Sequence, residues 1–193
     1  MLLSMRKLRE GILGSSRMDE FVKDVYMFNV RAAITLRHSE SYVPALMHLL
    51  GEVDEKVSMK EEERREHAGY YILHLACVLK DYNEAWRVKR RLGVGDGVVS
   101  KVLLALVQNN HWGWACLRKQ AGSYVGRFMD MADGRMRERT AECLSKAYFT
   151  LEKEYVEKIM GLPWQAMGES HKGAWKLDEG ANKIIVRRRK AQE

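Results

Sequence analysis

What this chain has little of narrows its fold class first. Two prolines in 193 residues are too few for the turn punctuation that sandwiches and barrels need, so the chain is expected to be mainly helical. Its three cysteines, Cys77, Cys116 and Cys143, are odd in number and far apart, which excludes a disulfide framework and a zinc knuckle. Each lies in an apolar helical context and is expected to serve as a small core residue. Asn-x-Ser/Thr sequons are lacking. The longest apolar run, residues 98–107, contains Lys101 and is about half of the ~20 residues that a membrane span needs. Ser4 and Arg6 interrupt Met1-Leu2-Leu3, so no secretory leader is expected. These features predict a cytoplasmic and/or nuclear protein with no membrane partner.

What is present is an ordinary globular balance, 46% hydrophobic and 31% charged, enough for one domain or two small ones. From Asp19 to Leu36 two apolar stripes recur at helical spacing, Phe21, Val25, Phe28 and Ala32 on one, Val22, Tyr26 and Ala33 on the other. A helix apolar on two faces is expected to be sandwiched between neighbours. A shorter helix follows with Tyr42, Ala45, Leu46, Leu49 and Leu50, then a long one through Ala68, Tyr71, Ile72, Leu75, Val78 and Leu79, ending at Lys80-Asp81. Tyr82 to Leu92 and residues 98–108 repeat this grammar, and the latter breaks at Asn109-Asn110-His111 before Trp112, Ala115 and Leu117. Long helix, polar break and short helix make the unit of HEAT- or TPR-like stacks, so residues 1–132 are expected to form a right-handed, degenerate helical-repeat stack.

After Gly134 the pattern changes. A helix over 135–148 is predicted with Met136, Thr140, Cys143, Leu144 and Ala147 inward, then a break in which Thr150 caps the next helix. That helix turns Tyr155, Val156, Ile159 and Met160 inward and stops at Gly161. Pro163 suits the first turn of a third helix reaching about His171. The runs 175–177 and 183–186 flank a polar turn containing Gly180 and read as a β-hairpin. Strand alternation puts Ile184 and Val186 inward and leaves Ile185 outside. Three helices and a hairpin predict a C-terminal winged helix over 133–187, followed by a basic tail, 188–193.

The chemistry of catalysis finds no support. Three alternating glycines at 93–97 follow a helix rather than a strand, so they predict a C-cap and interhelix turn rather than a phosphate loop. His67 and His74 are seven apart, which is not metal-ligand spacing. No serine lies in a nucleophile elbow, and no cysteine has a histidine in a catalytic signature. No enzyme activity, cofactor, metal or small-molecule substrate is expected.

Charge is concentrated at the C-terminal end. Residues 171–190 hold seven basic side chains (Lys172, Lys176, Lys183, Arg187, Arg188, Arg189, Lys190) against two acidic ones, so +5 of the chain's +7 lies there. With Arg135, Arg137 and Arg139 they form a candidate phosphate-contacting surface for RNA or DNA. A solvated tail, a nuclear-import signal and a partner-docking patch are the alternatives. The third predicted helix carries Glu169 and no arginine, so base reading is not expected. Trp112 and Trp114, two apart, cannot share a helix face. One of them is expected outside as an interface anchor, alongside Ile185.

A helical-repeat stack closed by a winged helix resembles the PCI domain. The residues that carry the likeness are 126–130 (Gly-Arg-Phe-Met-Asp), Arg137-Glu-Arg139, 144–148 (Leu-Ser-Lys-Ala-Tyr), 150–156, Gly161-Leu162, and the closing 175–178 and 183–186. Within that family the chain is most similar to the branch of small signalosome, proteasome-lid and "k" initiation subunits and germinal-centre-associated nuclear export proteins. The resemblance implies a non-enzymatic scaffold that docks other protein subunits, with RNA as a further partner. Such subunits typically continue into a long bundle helix, whereas Arg187 to Glu193 is short for one. A two- or three-protein assembly is therefore expected.

Overall fold

Asp19 starts the first helix that the periodicity predicts. Its carboxylate accepts the Val22 amide at 3.1 Å, so one of the otherwise orphaned donors of the first turn is satisfied. The structure is a computed structural model that describes residues 2–167 and 175–187. It is mainly helical, with a small three-stranded antiparallel sheet. The chain divides into two units, residues 2–103 with 121–131, and residues 104–120 with the described residues from 132 onward.

The first unit begins with α1 (Leu2–Ser15), which the periodicity did not reveal, and α2 (Glu20–Thr35). The third helix, α3 (Ser39–His48), runs through a π-helical turn (Leu49–Val53) into α4 (Asp54–Val57). The fifth, α5 (Glu61–Leu73), likewise ends in a π-helical stretch (His74–Leu79), and Lys80 stops it in the left-handed conformation. Then come α6 (Tyr82–Arg91) and the first half of α7 (Val98–Val107), whose residues from Leu104 on belong to the second unit. Gly93, at φ +63°, makes the turn between them, so the glycine-rich stretch is an interhelix connection. The first turns of α9 (Ser123–Ala147) complete this unit.

Val22, Val30, Ala33 and Ile34 of α2, Tyr42, Leu46 and Leu49, Ile72 and Leu73, and Phe128 and Met129 make its core. Tyr42 sits edge-on against both Phe128 and His74. One expectation fails on α2. Val25 is buried, but Phe21 is 47% and Phe28 57% exposed. The stripe through Val22, Tyr26 and Val30 already fills the packed face, and the phenylalanines point the other way. Tyr70 rather than Tyr71 is the buried tyrosine of α5, and Leu79 is exposed.

The second unit holds α8 (His111–Gln120), the rest of α9, β1 (Thr150–Glu152), α10 (Lys153–Met160), a 3-10 turn (Trp164–Ala166), β2 (Lys176–Asp178) and β3 (Lys183–Ile185). The strands pair in the order β1-β3-β2, antiparallel throughout. Leu151, Ile184 and Leu177 face each other across the sheet. Leu151 and Ile184 are buried with Leu144, Val156, Met160, Trp175 and Val186, and Leu177 packs against this core.

Several expectations are corrected in this unit. Gly134 does not separate two helices, because α9 runs through it. The apolar positions Met129, Ala132 and Met136 continue one stripe across that glycine, and a single helical glycine costs only about 1 kcal/mol. Thr150 is not a helix cap but the first residue of β1, paired with Ile185, while Glu152 holds the cap position of α10. The expected two-stranded hairpin is therefore the outer part of a three-stranded sheet. Pro163 begins a 3-10 turn that Met167 leaves in an extended conformation, and the remainder of the expected third helix lies outside the described residues. Tyr155, Cys116 and Cys143 are exposed rather than inward. Gly161, at φ +66°, ends α10 as expected.

Candidate functional site

Asn110 caps α8, its side-chain oxygen accepting the Gly113 amide at 2.8 Å, and the two-residue spacing of the tryptophans sets them on opposite sides of the helix. Trp112 is 56% exposed, whereas Trp114 is 5% exposed. The indole N–H of Trp114 donates to the Asp133 carboxylate of α9 at 2.7 Å. Asp133 also lies 3.7 Å from Arg118 and 3.6 Å from Arg137. One carboxylate therefore lies between two guanidinium groups, offsetting one of their two charges, and satisfies a buried indole N–H.

These elements and α10 enclose a cleft of about 310 Å³. Its floor is apolar, from Trp112, Trp114, Met136, Ile159 and Met160, and its rim carries Arg118, Lys119, Arg137 and Lys158. The Lys158 ammonium stands 5.6 Å from the centre of the Trp112 ring, a cation–π contact that holds an exposed indole in one orientation. An exposed tryptophan beside an apolar recess offers a large apolar contact area. Cys116 also lines the cleft.

The remaining candidate residues fall into separate groups. Ile185 lies on the outer face of β3, in register with Thr150 on one side and Lys176 on the other. The next outward row is Glu152, Lys183 and Asp178, so the central lysine stands between two carboxylate-bearing positions about 5 Å away. That outer face holds Lys176, Lys183, Glu152 and Asp178 and is neutral. The sequence count missed this because Glu152 arrives from a strand thirty residues earlier. Arg187 places its guanidinium 4.3 Å from the centre of the Phe149 ring. On α9, Arg137 faces Asp133, Arg139 pairs with Glu142 at 2.6 Å, and Arg135 is half-buried. The structure thus does not gather the three arginines on one face. Lys172, Arg188, Arg189 and Lys190 lie outside the described residues.

Among the described residues no group of three or more His, Cys, Asp or Glu side chains could hold a metal ion. No helix among them is long and apolar enough to cross a membrane. No family model matches the chain, and no curated protein matches it.

Asp133 and Lys158 were not among the predicted site residues. Asp133 is nineteen residues from Trp114 and Lys158 is forty-six from Trp112, so neither pairing has a local signal. Only the two-residue spacing of the tryptophans pointed here.

Proposed function

We propose that this chain is a non-enzymatic adaptor of the PCI type, which binds another protein subunit through the Trp112 cleft of its second unit. The observation that carries this reading is the exposed Trp112 ring beside an apolar recess with a cationic rim. In support of the family reading, the described part of this unit has the strand order β1-β3-β2, with β1 between α9 and α10. That is the arrangement a winged helix requires, with a wing formed by residues 179–182. The paired helices of the first unit, α2 with α3 and α5 with α6, are compatible with a degenerate repeat stack.

Sequence-nonspecific nucleic-acid binding is the weaker reading. Phosphate contact needs unopposed cations, and on the outer sheet face Glu152 and Asp178 offset Lys176 and Lys183.

Native purification of the tagged chain from its own cells tests the proposal. Wild type is expected to bring down a stoichiometric protein partner that Trp112→Ala loses, with Ile185→Asp as a second surface probe. A chain that purifies alone, or a partner retained equally by both variants, rejects the adaptor reading. Recovery of nucleic acid that high salt removes would favour the second reading.

A further inference from the structure

The Trp112 cleft has a long axis. Trp112, Ala115, Cys116 and Lys119 line it from α8, at the spacings of three and four that share one helix face. Asp133, Met136, Arg137 and Thr140 line it from α9 in the same way, and the last residues of α10 join them. Trp112 and Lys119 are seven residues apart, about 10 Å along α8. The cleft is therefore a groove about two helical turns long.

Its charge is one-sided. Four cationic side chains line it against one carboxylate, that of Asp133. Asp133 lies near Arg118 and Arg137 and accepts the Trp114 indole N–H, so its charge is already engaged. Lys119 and Lys158 are both exposed, and among the described residues no carboxylate pairs with either. Lys158 marks one end of the groove, 5.6 Å from the centre of the Trp112 ring. Lys119 is rooted at the other end of the same α8 face.

We propose that the partner segment bound in this groove is an acidic amphipathic helix. One large apolar side chain enters the recess, and two carboxylates seven residues apart, one on each side of it, meet Lys158 and Lys119. The inference rests on the adaptor reading and adds the partner's chemistry to it. Residues i, i+3 and i+7 lie on one helix face and span about 10 Å, which is the length of the groove. An apolar groove between helices is a recurrent seat for an amphipathic helix, and opposite charges at its two ends set the register. A nucleic acid fits less well, because the Asp133 carboxylate would face its phosphates inside the cleft.

Short dye-labelled helical peptides, titrated onto the full chain and followed by fluorescence anisotropy, test this. Each carries a central Leu, Phe or Trp, with Glu, Gln or Lys three residues before and four residues after it. The Glu peptides should bind saturably, the Gln peptides about tenfold more weakly and the Lys peptides not measurably. Lys119→Glu combined with Lys158→Glu should reverse the preference in favour of the Lys peptides. Lys119→Gln combined with Lys158→Gln should abolish it, and this variant decides if the charge reversal does not fold. The proposal is overturned if no peptide saturates below about 1 mM, if Glu peptides bind no tighter than Gln peptides, or if a folded variant keeps the wild-type preference. Tighter binding of a labelled oligouridylate than of the Glu peptides overturns it too. If the co-purified partner is still lost with Trp112→Ala while any of these results holds, the acidic helix alone is rejected. The adaptor reading falls separately, when no partner depends on Trp112.

Discussion

Trp114 and Asp133 meet at 2.7 Å, and that bond ties α8 to α9 beneath the exposed Trp112. Because the same carboxylate stands near Arg118 and Arg137, removing it leaves a buried indole N–H unpaired and takes a carboxylate away from two guanidinium groups. Asp133→Ala is expected to destabilise the second unit by about 1–3 kcal/mol, and Trp114→Phe by less, since it removes donor and ring area but leaves the carboxylate its arginines. Denaturant unfolding followed by tryptophan fluorescence measures both.

Tyr42 and His74 make a second buried pair, hydroxyl to Nδ1 at 2.8 Å. Burial pushes the Tyr42 phenol up to about 12, so it stays protonated under any folding condition. Tyr42→Phe keeps the ring packing on Phe128 and leaves the imidazole nitrogen unsatisfied. A loss of about 1–3 kcal/mol is expected in the same unfolding assay.

Stability should depend on pH through His67 and His74, which burial holds below the ordinary imidazole value of 6.5. In the unfolded chain both protonate near that value, and in the folded chain they do so only at lower pH. The unfolded state therefore binds more protons below about pH 6.5, and stability falls as pH drops from there. Above about pH 7 the two histidines contribute no slope. Each histidine adds at most about 1.4 kcal/mol per pH unit. Glu66 acts in a lower window. Burial alone would raise its pKa, but Arg31 at 2.8 Å and the Tyr70 hydroxyl hold it below the ordinary glutamate value of 4.5, so its stabilisation is lost only as pH falls through the acid range. Urea unfolding between about pH 3 and 8, with and without His74→Gln, separates the windows.

Two glycines should respond in opposite directions. A Cβ at Gly69 of α5 would stand 3.0 Å from the Val99 side chain, so Gly69→Val is expected to cost about 1–3 kcal/mol by overpacking. Gly134 has open space around its missing Cβ and lies inside α9, so Gly134→Ala should stabilise by about 0.5–1 kcal/mol. A destabilised Gly134→Ala would show that α9 breaks there after all.

Much of the local architecture was legible because its signals are local. Asp19, Lys80 and Gly161 mark helix ends through caps and left-handed stops, and the alternation of Ile184, Ile185 and Val186 gives the inward and outward faces of β3 directly. What stayed hidden depends on pairings distant in sequence. Three residues, Thr150-Leu151-Glu152, are too few to show a strand period, and they become a strand only by pairing with β3. Phe21 and Phe28 look like core residues until the packed face of α2 is known. The same reason hid the sites. The Asp133 link, the Lys158 contact with Trp112 and the carboxylates beside Lys183 all join residues from different elements. Helix α1, whose inward row of Met5, Arg9 and Ile12 is interrupted by an arginine, gave too little apolar periodicity to be recognised.

The adaptor account rests on Trp112 as the anchor of a protein interface. Its most direct test is isothermal titration of the co-purified partner onto wild type and Trp112→Ala, with unfolding curves showing that the variant is intact. An anchoring tryptophan contributes about 2 kcal/mol or more to binding, so the account predicts affinity at least about 30-fold weaker for the variant. An unchanged dissociation constant in a folded Trp112→Ala chain would contradict it.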